Sequence, residues 1–324
     1  MEKFYFITHD IHDAYFNLAS EEYLLKQKGG YYVYLWINDP AVIVGVNQNA
    51  IEEVNLNYTQ NHNIKVVRRL TGGGAVYHDG GNLCYTVIAP YNPNENNYVK
   101  FTAPVIEYLK GLGLNAEFSG RNDITVDGYK VSGNAETVFN GRVMHHGTLL
   151  FDTDGSVLAK TLNPSKLKID SKGIKSVRSR VTNIKDRIQK NLTIEQFKNG
   201  LRDKYKSVTS EFVFTEEDIL AIKKLVEEKY SRYEWNIGKS PKGSIVCEKK
   251  FDFGIVKISF DAANGVITNA KIYGDFFTKK NIDELNQKLN GIKYIKEDVL
   301  SALKDACEYI DGAKGELLLD MLFE

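Results

Sequence analysis

Residues 120–134 read GRNDITVDGYKVSGN and gather charged side chains where a reaction between anions would need them. Asp127-Gly128 is a strong two-residue hairpin signal, flanked by Ile124-Thr-Val126 and Tyr129-Lys-Val131. Such a loop pairs Val126 with Tyr129, Thr125 with Lys130, Ile124 with Val131, Asp123 with Ser132, and Arg121 with Asn134. Side chains alternate along a strand, so Ile124, Val126, Tyr129 and Val131 share an apolar face. Arg121, Asp123, Thr125, Lys130, Ser132 and Asn134 share the other. A water-exposed hairpin could carry the same residues, with Lys130 an ordinary surface lysine. The mixture nonetheless suits adenylate formation, which needs a cation for phosphate or carboxylate beside a carboxylate able to hold Mg2+. Lys130 is the candidate cation and Asp123 the candidate metal ligand.

A second segment, residues 68–82, reads RRLTGGGAVYHDGGN. No GK[ST] follows it, so it is not a P-loop. The third glycine of a dinucleotide fingerprint would fall on Tyr77. Three successive glycines let the backbone approach a ligand closely and surround an anion with N–H groups. A flexible hairpin loop beside two solvated arginines is the alternative. Arg68 and Arg69 end a strand, so only one of them can easily face a pocket. Downstream, His145 and His146 are adjacent on a strand and face opposite ways, a poor metal site but a fair place for one buried, hydrogen-bonded histidine. Residues 172–183, KGIKSVRSRVTN, crowd Lys172, Lys175, Arg178 and Arg180 into one run. That run reads as a solvated face, a patch for an acidic partner, or a loop that folds over a triphosphate.

Strands and helices must hold these segments. Strands are predicted at Lys3–Thr8, Tyr31–Ile37, Val42–Gly45, Lys65–Arg69, Asn82–Ala89 and Val143–Asp152. Helical spacing marks Ala14–Lys28 and Val99–Leu112. Thr193-Ile-Glu-Gln196 and Thr215-Glu-Glu-Asp218 resemble helix starts with a hydroxyl cap. After a turn-rich stretch, Trp235–Gly243, strands at Ser244–Lys249, Phe251–Phe260 and Gly265–Tyr273 precede helices at Asn281–Leu289 and Lys296–Cys307. That order suggests a separate α+β module and two domains, 1–239 and 240–324.

Composition narrows the classes. The 324 residues are 43% hydrophobic and 26% charged, enough for a sizeable core without staples. Lys+Arg and Asp+Glu both number 42, so the basic excess expected for nucleic acid or an anionic membrane is missing. The three cysteines (84, 247 and 307) form no CxxC pair, which argues against a disulfide framework or structural zinc and favours a reducing compartment. The first ten residues lack signal-peptide character and no apolar run spans a bilayer, so a cytoplasmic protein is expected.

The motifs RRLTGGGAVYHDGGN, GRNDITVDGYKVSGNA, HHGTLLFD and KGIKSVRSRVTN, in this order and spacing, resemble the lipoate–protein ligase family. Tyr233-Glu-Trp-Asn-Ile-Gly238 is similar to the stretch that precedes the family's small C-terminal accessory domain. The resemblance implies an α+β chain: a biotin/lipoate-ligase catalytic domain, related to class II aminoacyl-tRNA synthetases, with a mixed, largely antiparallel sheet. It implies that lipoate is activated with ATP and Mg2+ to lipoyl-AMP, then passed to a lysine of a carrier: lipoyl domains of 2-oxoacid dehydrogenase complexes, or the glycine cleavage H protein. By motif, Lys130 would contact both the lipoyl carbonyl and the adenylate phosphate. Arg69 and the Gly74-Ala75-Val76-Tyr77 backbone would hold the nucleotide, with Lys172 and Arg178 from the basic run. Arg69, Gly72, Gly73, Lys130 and His146 would bind lipoate. Glu136-Thr137 depart from the aromatic or basic residue often found after SGNA.

Three rivals are related by fold. An octanoyltransferase would pass the acyl group through a cysteine, yet no cysteine lies from Tyr85 to Val246, and Lys172-Gly-Ile stands where Cys-Gly-Ile would be expected. A non-catalytic lipoate or carrier-binding protein would be expected to lose Lys130 or the glycine loop, and both are present. A biotin ligase would carry a GRGRRGR-like segment, which is absent.

Overall fold

The computed structural model describes residues 4–26, 30–162, 181–205, 210–239, 245–263 and 266–323. The basic run as far as Arg180, with Lys172 and Arg178, lies outside the described residues, as does most of the Gly238–Gly243 boundary.

The larger part is built on an eight-stranded mixed sheet. Its strands are β1 (Phe4–Thr8), β2 (Tyr31–Ile37), β6 (Asn82–Pro90), β7 (Ala116–Ser119), β8 (Asp123–Val126), β9 (Tyr129–Phe139), β10 (Arg142–Leu150) and β11 (Ser210–Glu211). They lie in the order β11-β1-β2-β6-β10-β9-β8-β7. β1 runs parallel to its two neighbours, and the other pairs are antiparallel. A smaller sheet joins β3 (Ala41–Val44) to β4 (Lys65–Arg68) and β5 (Val76–His78).

β2 shows why the large sheet is covered on both faces. Val33, Leu35 and Ile37 join one buried cluster, under helices Asn97–Gly111 and Ile194–Tyr205. Tyr32, Tyr34 and Trp36 join another, under helix Ala14–Lys26. An unbroken aromatic and β-branched run is what a strand buried on both sides requires. Both proposed helix starts form reciprocal caps, Thr193 with Gln196 and Thr215 with Asp218.

The C-terminal part is a smaller α+β domain. β12 (Ile245–Phe251), β13 (Gly254–Ala263) and β14 (Val266–Gly274) form an antiparallel sheet against helices between Ile282 and Phe323. Its core runs from Phe253 to Leu322 and, among the described residues, takes no side chain from the larger part.

Two local readings need correction. Glu234–Gly238, expected as turn, is a π-helical turn. Arg68 explains it: its guanidinium donates to the carbonyls of Trp235 and Asn236, while Asn236 Oδ1 accepts from Arg68 N and Trp235 Nε1 donates to Arg68 O. In the 123–133 hairpin, Asp127 and Gly128 both take positive φ and Thr125 pairs with Lys130 as expected, but Ile124 then pairs with Ser132 and Asp123 with Gly133. Val131 is thus the extra residue of a bulge, which shifts every later side chain by one position. Ser132 and Asn134 leave the face of Lys130, and Gly133 takes their place. Tyr129 is exposed beneath Arg187 instead of joining the apolar face.

Candidate active site

One pocket of about 180 Å3 draws together Arg69, Gly73, Gly74, Ala75, Val76, Lys130 and His146. Gly72 packs under Phe276 of the smaller domain, and the Tyr77 ring is buried in a separate cluster on β5. Asp123 contacts Lys130, its Oδ1 lying 2.6 Å from Nζ. Both side chains are about one-third exposed, so the pair is open to an incoming anion.

The two arms of the hairpin are tied to each other by its asparagines, and Tyr85 of β6 donates to Asn134 Oδ1. Asn134 Nδ2 donates to Asn122 O at 3.0 Å, and Asn122 Nδ2 donates to Asn134 O at 2.7 Å. Gly147 lets them pass: a Cβ there would collide with Asn134 Oδ1 and the Tyr85 ring. Gly133 leaves room for the Lys130 ammonium, which would sit 3.3 Å from a Cβ at that position. At the end of the basic run, Val181 bridges Lys130, and Thr182 N donates to Lys130 O at 3.1 Å.

The paired arginines divide as strand alternation requires. Arg68 is fully buried and also donates to the carbonyls of Gly45 and Gln48. Arg69 turns to the pocket and shapes the glycine loop. Its guanidinium donates to Thr71 Oγ1, Ile43 O, Gly72 O and Gly74 O at 2.6–3.1 Å. Burial pushes both guanidinium groups down to about 10, which leaves them charged at neutral pH.

A buried relay continues from Arg69. Thr71 Oγ1 accepts from Arg69 Nε and lies 2.7 Å from His146 Nε2, while His146 Nδ1 is 2.9 Å from Glu21 Oε1. Glu21 also accepts from Thr86, which accepts in turn from Trp36 Nε1. The chain closes if His146 is the Nδ1–H tautomer, donating to Glu21 and accepting from the Thr71 hydroxyl. Glu21 was not legible as a site residue, because a mid-helix glutamate reads as surface. The signal lies in its helix, where nearly every residue from Phe16 to Leu25 is buried.

His145 faces the other side of the sheet, among Tyr85, Tyr98 and Phe101. The neighbouring Glu136 carboxylate lies 3.6 Å from its ring.

The remaining pocket wall has two characters. Leu18, Trp36, Ile43 and Cys84 belong to one apolar cluster, so the apolar lining is continuous. Asn122, Thr148 and Lys130 contribute to the polar lining. An apolar chain ending in a carboxylate matches this division. Trp36 and Cys84 were absent from the expected site, because aromatic and cysteine residues in a strand read simply as core.

Cys84 lies 3.6 Å from His78 Nδ1. Burial raises the thiol well above its ordinary value and pushes His78 down to about 3, so neither is charged at neutral pH. The unfolded chain therefore takes up a proton at position 78 between about pH 6.5 and 3 that the folded chain refuses. Stability should fall with pH across that window, by on the order of 3 kcal/mol at pH 4 from this group alone. His78→Gln should flatten the decline in melting temperature between pH 6.5 and 4, and an unchanged slope would refute the assignment.

Among the described residues, no three His, Cys, Asp or Glu side chains converge as a metal cage. Asp123 offers one carboxylate, which fits Mg2+ that takes its other ligands from phosphate and water. No described helix is long and apolar enough to cross a membrane.

A mixed sheet beside a pocket with one apolar wall and one cationic end suits an apolar acid, and comparison gives the class of protein. The lipoyl protein ligase A/B catalytic domain model matches residues 13–206, and the bacterial lipoate protein ligase C-terminus model matches residues 240–322. The chain belongs to the lipoate–protein ligase family. It is 43% identical to lipoate–protein ligase 1 of Staphylococcus aureus, over 92% of each chain. It is 39% identical to a Bacillus subtilis lipoate–protein ligase, over 97% of this chain and 98% of that one. The P. falciparum LipL1 structure in complex with lipoate superposes at a TM-score of 0.80 with 26% identity, covering 99% of this chain and 100% of that one. A lipoate–protein ligase A bound with ATP gives 0.64 at 27% identity, covering 74% of this chain and 99% of that one. A Thermoplasma acidophilum bipartite ligase, described together with its E2 lipoyl domain, gives 0.64 at 28% identity, covering 76% and 100%.

Proposed function

We propose that this enzyme activates lipoate with ATP and transfers the lipoyl group to a lysine of a carrier protein. The observation that carries the reading is the pocket itself, in which a continuous apolar wall runs to a glycine loop and to Lys130. Relatives with lipoate or ATP bound, and one described with its lipoyl domain, support it.

In the first step a lipoate carboxylate oxygen attacks the α-phosphorus, and pyrophosphate leaves with the electron pair of the broken P–O bond. Lys130 stands between two anions, and its charge offsets their repulsion and the charge that develops at phosphorus. Arg69 keeps the loop open around the nucleotide, with Gly74–Tyr77 supplying backbone. Gly72, Gly73 and His146 shape the acyl site. Lys172 and Arg178, which lie outside the described residues, are assigned to the phosphates by their motif alone. Mg2+, with Asp123 as its protein ligand, would neutralise the leaving pyrophosphate. In the second step the carrier ε-amine attacks the mixed anhydride carbonyl, AMP departs, and the amine loses its proton. Lys130 then holds the carbonyl oxygen.

The carriers are lipoyl domains of 2-oxoacid dehydrogenase complexes or the glycine cleavage H protein, and the enzyme works in the cytoplasm. The domains divide near residue 239. Carrier lipoylation with and without ATP tests the reading: ATP should be required, and ATP-independent transfer from an acyl carrier would overturn it.

The thiol-transferase alternative predicts otherwise at Cys84. Its raised thiol should resist iodoacetamide at pH 8 in the native protein while the exposed Cys307 reacts. Cys84→Ser should keep ATP-dependent ligation, with a stability loss of about 1–3 kcal/mol from the buried hydroxyl. An acyl-thioester trapped on Cys84 would contradict this account.

A further inference from the structure

The hairpin that carries Lys130 holds one more cation, whose hydrogen bond and ring contact both lie on the smaller domain. Arg121 donates through Nη1 to the carbonyl of Phe253, and its guanidinium lies 4.3 Å from the centroid of the Phe277 ring. The edge of that ring meets the glycine loop: a Cβ on Gly73 would stand 3.3 Å from Phe277 Cε1. Gly73 N donates to Phe276 O at 3.4 Å, a long bond for a backbone amide. The Phe276–Phe277 turn therefore fills the space between Arg121 and the glycine loop, and covers donors from both sides.

Those donors are of the kind a polyphosphate takes. Arg69 cannot readily supply more, because it already serves four oxygens of its own loop. Lys130 is held by Asp123 and is assigned to the α-phosphate. The β- and γ-phosphates need a further cation, and Arg121 is exposed, two residues before Asp123. An aromatic ring between a guanidinium and a backbone amide fills a gap that a phosphoryl group could fill with hydrogen bonds at both ends.

We propose that Arg121 binds the β,γ-phosphates of ATP, and the departing pyrophosphate, at a subsite that Phe277 of the smaller domain occupies in this structure. Polyphosphate and this interdomain contact then exclude each other. The inference deepens the ATP-dependent reading and rests on it.

Binding measured by calorimetry on the full chain, with non-hydrolysable ATP, pyrophosphate and AMP as probes, tests it. Phe277→Ala should tighten binding of the ATP analogue and of pyrophosphate roughly fivefold, because nothing then competes for the subsite. Arg121→Gln should weaken both roughly tenfold, and Arg121→Lys should recover only part, since a point charge replaces a fork. AMP, which lacks the β- and γ-phosphates, should bind all variants within about twofold of the parent. The Phe277→Ala gain should vanish when combined with Arg121→Gln. Polyphosphate binding unchanged in Arg121→Gln would overturn the proposal and leave Arg121 as an interdomain contact. A loss of AMP binding in Phe277→Ala would also overturn it, by making the ring part of the nucleotide site. A parent chain that binds no ATP analogue would overturn the functional reading itself, and the proposal with it.

Discussion

Lys130→Ala should fold like the parent and fail to make lipoyl-AMP. The side chain is one-third exposed and its ion pair is with Asp123, itself one-third exposed, so truncation opens no cavity and leaves a partly exposed carboxylate. The chemical loss is large. A preorganised cation aimed at developing charge is worth about 3–4 kcal/mol, so activation should fall roughly a hundred- to a thousandfold. Transfer from synthetic lipoyl-AMP should fall too, because the same ammonium is assigned to the carbonyl. Circular dichroism and melting temperature should match the parent. Activation within about threefold of the parent rate would show that Lys130 is a surface lysine after all.

Arg69→Met should differ in kind, because it loses stability as well as activity. Four oxygens lose their donor: two glycine-loop carbonyls, the Ile43 carbonyl and the Thr71 hydroxyl. The buried Glu21 loses its cationic neighbour. Breaking such a buried charged network costs on the order of 3–5 kcal/mol, visible as a drop in melting temperature. Arg69→Lys should rescue little, since one ammonium cannot reproduce a planar fork that meets four acceptors. Activation should fall at least as far as in Lys130→Ala. If Arg69→Met were as stable as the parent, the relay through Thr71, His146 and Glu21 would not hold the loop.

The contrast between these residues shows how far the sequence could be read. The hairpin turn was legible because Asp127-Gly128 demands two residues at positive φ, and both adopt it. The bulge at Val131 was not, because an extra strand residue leaves no mark in an alternating pattern until packing decides which side chain is buried. The division of labour between Arg68 and Arg69 follows from strand alternation. What Arg68 holds, the π-helical turn at 234–238, needs contacts across nearly 170 positions of sequence, which no local pattern encodes. Glu21, Trp36 and Cys84 escaped for one shared reason. Each has the composition of its element, and only the fold shows that one wall of the core is also the wall of the pocket. The smaller domain was legible as strands followed by helices, whereas the reach of its Phe276–Phe277 turn into the glycine loop was not.

Lipoate should be activated as an adenylate in the pocket that contains Lys130. The most direct measurement is a carrier-free incubation of the enzyme with lipoate, Mg2+ and ATP radiolabelled at the α-phosphate. The protein-bound product is then separated and identified by mass. Lipoyl-AMP should be bound near stoichiometrically, with pyrophosphate released in equal amount and the label discharged as AMP when a carrier is added. Carrier lipoylation in the absence of ATP, or an acyl-thioester with no labelled adenylate, would contradict it.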